Sequence, residues 1–220
     1  MKIKVVRSQR KTIAMQVCAD ATLKIRAPIW VEESTIRKFL HKHESWIKKK
    51  KSEIRKRQKN NPEKHYCDGE LFLFLGKYYP LQRVRQQQDP LQLKGGHFLL
   101  GTDIDNPKAV FKQWYFQKAT EKITQWVEWY AQKYHFNVHK VKISNAQKQW
   151  GSCTPLNNLH FSWRLMMAPE SIIRYVVVHE LVHLRERNHS RLFWSKVQGI
   201  FPDYKQCRQW LKRNGYLLHL

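Results

Sequence analysis

Three histidines lie within eleven residues of this chain, in the stretch VVVHELVHLRERNHS, and a glutamate directly follows the first of them. His179 and His183 are four residues apart, so on a helix both imidazoles stand on one face, one turn above the other. Two imidazoles placed in this way can bind one tetrahedral zinc ion. Glu180 follows His179 and would reach a water molecule on that ion, as the general base does in the HExxH arrangement. The spacing therefore predicts a hydrolytic metal site.

A catalytic zinc site usually has three protein ligands, and His189 is the candidate for the third. It lies six residues beyond His183, where a helix end would let the chain turn back toward the ion. The spacing matches that of HExxHxxGxxH enzymes, but Glu186 stands at the glycine position. Asn188 could supply the reversal instead, because asparagine tolerates left-handed backbone.

The helix that must carry these residues is predicted from features outside the motif. Pro169 suits the first turn of a helix, and Glu170 favours the positive end of its dipole. We therefore expect a helix over residues 169–187 that ends at Asn188, with Ser190 capping the next helix.

The neighbours of the motif are apolar, and burying two imidazoles and a carboxylate among them costs free energy. A bound cation would offset this cost. These neighbours are Val176, Val177, Val178, Leu181, Val182 and Leu184. The alternative is an ordinary helix in which His179 and His183 are hydrogen-bonded and Glu180 pairs with Arg185.

Residues 1–104 are predicted to form a mostly antiparallel β region with one basic helix inserted. Charged and apolar residues alternate over residues 2–27, with a turn at residues 19–21, as in antiparallel strands or a hairpin. Residues 68–101 again have the pattern of short strands, separated by glycine and proline.

Residues 105–220 are predicted to form a zincin-like helical domain with a small β-hairpin. A long amphipathic helix follows Pro107. Two strand-like runs, 138–144 and 159–167, then form the hairpin before the motif helix. The fold class is therefore α+β.

The charge balance is strongly basic, with 41 Lys and Arg against 17 Asp and Glu, a formal net charge of +24. Residues 31–60 have apolar positions at helical spacing and contain a Lys- and Arg-rich run over residues 48–59. This charge favours polyanionic partners such as nucleic acid or nucleotides, and the alternative is a solvated face that maintains solubility.

The chain is expected to be cytoplasmic. Its four cysteines are far apart and predict free thiols in a reducing compartment. The first residues lack the pattern of a secretory signal, and no apolar run approaches the length of a membrane span. We expect no membrane partner, and the sequence indicates no oligomeric state.

Four segments resemble the YgjP-like zinc metallopeptidases, which are relatives of the SprT-like group. They are WGSC at 150–153, LHFSWRLMMAP at 159–169, RYVVVHELVHLRERNHSRLFW at 174–194 and PDYKQCRQWLKRNG at 202–215. The resemblance extends to RKTIAMQVCADATLKIRAP and HESWIKKKK near the start, so it covers nearly the whole chain. It implies that His179, His183 and His189 bind one zinc ion, that Glu180 is the catalytic base, and that a hairpin carrying WGSC lies along the cleft.

Five further residues are candidates for substrate binding: Trp150, Gly151, Ser152, Arg164 and Tyr204. Arg164 could hold a carboxylate or phosphate, or be solvated. Tyr204 could donate to a developing oxyanion, or pack in the interior. Trp150 could line a cleft or be a sheet aromatic. Cys153 is either a buried thiol or a fourth ligand or nucleophile, and His160 has no assigned role.

Three functions are compatible with these residues. The first is a metallopeptidase in which Glu180 activates a zinc-bound water to cleave peptide bonds. The second is a metal-dependent nucleoside triphosphate pyrophosphatase, because the net charge attracts nucleotides, although the chain has no GxxxxGK[ST] phosphate loop. The third is a nucleic-acid-associated module with structural zinc. Glu180 argues against it, because a purely structural zinc site does not need a general base.

Overall fold

The computed structural model describes residues 3–18, 20–60, 62–85 and 87–220. It divides into two compact units, Met1–Pro62 and Glu63–Leu220. The boundary expected near residue 104 thus lies inside the second unit. Lys2, in the expected first strand, and Ala19, in the expected turn, lie outside the described residues.

The first unit contains a three-stranded sheet of β1 (Ile3–Ser8), β2 (Ala14–Val17) and β3 (Leu23–Pro28) in the order β1-β3-β2. Strands β2 and β3 form the expected antiparallel hairpin, but β1 runs parallel to β3. Alternate residues of β3, Leu23 and Ile25, are fully buried in the core of this unit.

Two helices follow where the pattern predicted one, α1 (Glu33–Lys42) and α2 (Glu44–Asn60). The backbone leaves the helical conformation at His43, with φ −110° and ψ 15°. The ring Nδ1 of His43 lies 2.8 Å from the Phe39 carbonyl oxygen, which stabilises the break. Ile36 of α1 and Ile47 of α2 pack in the core of this unit.

The second unit begins with a four-stranded sheet whose strand order is β4-β5-β7-β6. Its strands are β4 (Leu71–Phe74), β5 (Lys77–Val84), β6 (Leu91–Lys94) and β7 (His97–Gly101). Strands β5 and β7 are parallel, and the other pairs are antiparallel.

The long helix α3 (Pro107–Tyr134) packs directly on this sheet. Its start is as expected, because the Asn106 side chain caps it by accepting from the Ala109 amide and proline occupies the first turn. The ring of Phe111 stacks on Phe72 of β4 at 4.2 Å and approaches Phe98 of β7 at 5.2 Å. These contacts join residues on both sides of position 104 in one core.

A second small sheet has the order β8-β10-β9, from β8 (Lys140–Ser144), β9 (Gly151–Cys153) and β10 (Asn158–Ser162). Strands β8 and β10 correspond to the two runs that were expected to form a hairpin. They do pair, but in parallel, and a hairpin requires antiparallel strands. The hairpin consists of β9 and β10, because the WGSC segment itself supplies a strand.

The run expected to continue as a strand to residue 167 leaves the sheet as a 3-10 helix, Trp163–Met167. The carbonyls of Met166 and Met167 accept hydrogen bonds from the amides of Leu75 and Gly76, at the turn between β4 and β5. The connection therefore ties the two sheets of this unit together.

Three helices complete the second unit: α4 (Glu170–Val182), α5 (Arg191–Ile200) and α6 (Tyr204–Asn214). The α+β class is as expected, with small sheets that mix parallel and antiparallel pairs. Among the described helices, none combines the length and the hydropathy needed to cross a membrane.

Candidate metal centre

The three motif histidines converge on one point. The Nε2 atoms of His183 and His189 are 3.2 Å apart, and those of His189 and His179 are 3.0 Å apart. Zinc–nitrogen bonds of the usual length at tetrahedral angles would separate the nitrogens by about 3.3 Å. Within the described part of the chain, these three residues form the group of His, Cys, Asp or Glu that could hold a metal ion.

The turn that brings His189 back begins earlier than expected. Helix α4 ends at Val182, not at residue 187, and the amides of Arg185 and Glu186 both donate to the Val182 carbonyl. Asn188 does not adopt the left-handed backbone that was expected of it. The tight turn after Val182 reverses the chain instead, and Ser190 then caps α5 by accepting from the Phe193 amide, as expected.

The protonation of the histidines suits metal binding. His183 Nδ1 lies 2.9 Å from the Glu186 carbonyl oxygen and donates to it, which leaves the Nε2 lone pair free for an ion. Burial, together with the neighbouring histidines, lowers the pKa of His179 to about 3. Burial also lowers the pKa of His183. The shifts of His179 and His183 both favour the neutral imidazole that a metal ion binds.

One feature of the donor set departs from the usual pattern. His179 Nδ1 is buried and has no hydrogen-bond partner among the described groups, whereas ligand histidines generally donate from their second nitrogen. The convergence of the three imidazoles fits a divalent ion such as zinc.

Glu180 lies against the backbone of β9. A Cβ atom placed on Gly151 would lie only 2.6 Å from both Cγ and Oε1 of Glu180, so the absence of a side chain at residue 151 makes room for the carboxylate. Glu180 is 5% exposed. Burial raises its pKa to about 8, and a cation beside it would favour the carboxylate form.

Strand β9 is an edge strand of its sheet. The Trp150 carbonyl accepts from the Ser162 amide and the Thr154 amide donates to the Asn158 carbonyl, so even-numbered residues of this segment pair with β10. Because backbone groups alternate along a strand, those of Gly151 and Cys153 point to the open edge. Ser152 is paired with His160 in the hairpin register.

Arg187, which the sequence patterns did not single out, connects the turn after His183 to the β9–β10 hairpin. Its guanidinium donates to the Thr154 carbonyl and to Asn157 Oδ1, each at 2.7 Å. It also donates to Cys153 Sγ at 3.2 Å. Burial raises the pKa of the Cys153 thiol, and its sulfur is not part of the histidine group.

Two of the candidate substrate-binding side chains are occupied by internal contacts. Arg164 is 7% exposed, and its guanidinium donates to both the carbonyl and the side-chain oxygen of Asn145. The Trp150 ring packs where a Cβ on Gly215 would lie, 2.9 Å from its Cζ2 atom. We therefore do not assign substrate contacts to Arg164 or Trp150.

An aromatic stack leads from the third histidine to helix α6. Trp194 stacks on His189 with ring centroids 5.5 Å apart, and Tyr204 stacks on Trp194 at 5.3 Å. The guanidinium of Arg208 lies 4.9 Å from the centre of the Trp194 ring. Its charge adds to burial in lowering the pKa of His179. No spacing pattern predicted Trp194 or Arg208, because they meet the site only through the packing of α5 and α6.

Comparison with known proteins agrees with this geometry. The YgjP-like metallopeptidase domain matches residues 11–214. A stretch of 48 residues is 42% identical to the UTP pyrophosphatase of Escherichia coli (strain K12), covering 20% of this chain and 29% of that protein. The chain therefore matches less than a third of the length of this relative. No solved structure matches the chain.

Proposed function

The chain belongs to the YgjP-like family of metallopeptidase domains, and from this premise we propose that it is a zinc-dependent hydrolase that cleaves peptide bonds. The observation that carries the proposal is the position of Glu180 between three converging histidines and an edge strand. An enzyme that hydrolyses an extended peptide needs a metal site, a general base and a strand edge that binds the substrate, all side by side.

In this proposal His179, His183 and His189, whose Nε2 atoms converge, would hold the metal. A bound zinc ion would lower the pKa of a water molecule and polarise the carbonyl under attack. Glu180 accepts the proton of the attacking water and returns it to the leaving amine. Its buried position keeps bulk water from competing for that proton.

The substrate would lie along β9. An extended peptide adds to an open sheet edge through its backbone, which gives affinity without a particular side chain. The outward backbone groups of Gly151 and Cys153 are the partners available for it, directly beside the Glu180 carboxylate. Arg187 holds the hairpin against the turn of the metal site, so the edge and the base keep their relative positions.

A nucleoside triphosphate is the second candidate substrate, and two observations favour it. The partial relative is named a UTP pyrophosphatase. The positive charge of Arg208 also acts on His179, and a cation so placed attracts the phosphate groups of a nucleotide more strongly than a neutral peptide. In this alternative Glu180 would again take the proton from the attacking water.

The test combines metal analysis with a hydrolysis screen on casein-like peptides and on nucleoside triphosphates, for the parent and for Glu180→Gln. We expect about one zinc per chain in both proteins and peptide cleavage at least 100-fold slower in the variant, because loss of a general base typically costs that factor or more. Absence of stoichiometric metal would refute the site. Glu180-dependent turnover of nucleotides alone would replace the peptidase by the second candidate.

A further inference from the structure

One face of helix α2 is cationic along most of its length. Six side chains on this face line a single groove of about 460 Å³: Lys48, Lys51, Ser52, Arg55, Lys56 and Lys59. Their spacing of three and four residues is that of one side of an α-helix. At 1.5 Å per residue this cationic face extends over about 16 Å.

The charges on the cationic face are largely uncompensated. Glu44 pairs with Lys48 at 2.8 Å, and Glu53 pairs with Lys50, which is not one of the groove residues. The other four cations of the face make no ion pair with any residue that the structure describes. Like charges at this spacing repel one another, and a polyanion would relieve that repulsion.

We propose that the cationic face of helix α2 binds the phosphate backbone of nucleic acid without reading its sequence. Double-stranded DNA carries one charge for about every 1.7 Å of its axis, so a face of this length meets several phosphates at once. The net charge of +24 would attract the same partner from a distance.

The composition of the face favours the phosphates of nucleic acid over a membrane surface. Helices that lie on membranes need an apolar side to insert, whereas Ile47 of α2 is 4% exposed and belongs to the core of its own unit. The groove is lined by no aromatic side chain on which bases would stack. The face therefore offers phosphate contacts alone, which position a nucleic acid but carry no sequence information.

The experiment measures binding of the full-length protein to a fluorescent 20-base-pair DNA duplex and to a single strand of the same length, at several salt concentrations. The parent should bind both, with log K falling linearly against log salt. The variant Lys51→Gln/Arg55→Gln/Lys56→Gln should bind at least tenfold more weakly. Its slope should be shallower by about 2.7 for the duplex, since each neutralised phosphate contributes about 0.9.

The matched control removes the same charge from exposed residues of the same unit, in Lys11→Gln/Lys38→Gln/Lys42→Gln. Equal weakening by the control would overturn the proposal, because the effect would then be one of net charge. A strong sequence preference would also overturn it, as would equally tight parent binding to polyglutamate or to phosphatidylserine vesicles. Circular dichroism verifies that each variant is folded. The proposed hydrolase is argued from residues of the second unit alone, so failure here leaves that proposal untouched.

Discussion

At the scale of single residues, the structure leaves no room for a side chain at Gly151. The carboxylate of Glu180 occupies the space that any side chain at residue 151 would need. The position of the proposed base is therefore defined by the backbone of another element. A change at Gly151 should act on catalysis while the three histidines keep their places.

We expect Gly151→Ala to lower kcat at least tenfold with zinc content unchanged, because the new methyl group would displace Glu180 from its position. Steady-state kinetics and metal analysis measure both quantities. Gly199→Ala is the control, since no atom lies within 4 Å of a Cβ there and α5 should become more stable by up to about 1 kcal/mol. Full activity in the Gly151 variant would contradict the assigned position of the base.

We expect His183→Ala to lose the metal. The parent should gain about 2.7 kcal/mol of stability at a free zinc concentration 100 times its Kd, and the variant should gain much less. Thermal unfolding with zinc and with a chelator measures this difference. His97→Ala, in the other sheet of this unit, is the control and should respond to zinc as the parent does. An unchanged zinc response of the His183 variant would exclude His183 as a ligand.

At the scale of elements, the short strand β9 contributes both of its edges and the face at Gly151. Its paired side anchors it to β10, its glycine admits Glu180, and its outward backbone groups remain available. Proline is tolerated at an edge position because it removes only a hydrogen-bond donor that the sheet does not use. This permits a test of substrate pairing that leaves the sheet in place.

We expect Cys153→Pro to lower kcat/KM for peptides at least tenfold, because it removes an outward amide that an added strand would use. Cleavage of a fluorogenic peptide measures the effect. Cys153→Ala keeps the amide and loses the thiol's contacts with Arg187 and the Thr154 carbonyl, so it should stay close to the parent. Equal activity of the proline and alanine variants would argue against substrate pairing at this edge.

At the scale of the whole molecule, the two units have separate hydrophobic cores. The core of the second unit continues from the four-stranded sheet through α3 to the motif helix. The sheet that precedes residue 104 is therefore part of the scaffold that supports the metal site. This assignment differs from the expected division into residues 1–104 and 105–220.

We expect a fragment of residues 63–220 to unfold cooperatively and to bind about one zinc ion, because it retains its complete core. A fragment of residues 105–220 should not fold, since Phe111 would lose its contacts with Phe72 and Phe98. Circular dichroism melts and metal analysis distinguish them. A stable, zinc-binding fragment of residues 105–220 would support the boundary expected near residue 104.

The sequence alone determined those features that depend on neighbours within a few residues. His179, Glu180 and His183 share one turn of a helix because of their spacing, and that helix begins at the predicted place. Ser190 caps the helix that follows it as expected, and the long helix predicted after Pro107 is present. Caps, turns and helical periodicity act over one or two turns of chain, so the local pattern contains the information needed to predict them.

Tertiary structure alone decided the features that depend on residues far apart in the chain. The parallel pairing of β8 with β10, the close approach of Gly151 to Glu180 and the attachment of Arg187 to the hairpin each join separate segments. The helix end at Val182 likewise differs from the local prediction. Such contacts form where burial and backbone hydrogen bonding of the whole unit are satisfied together, and residue spacing does not encode that.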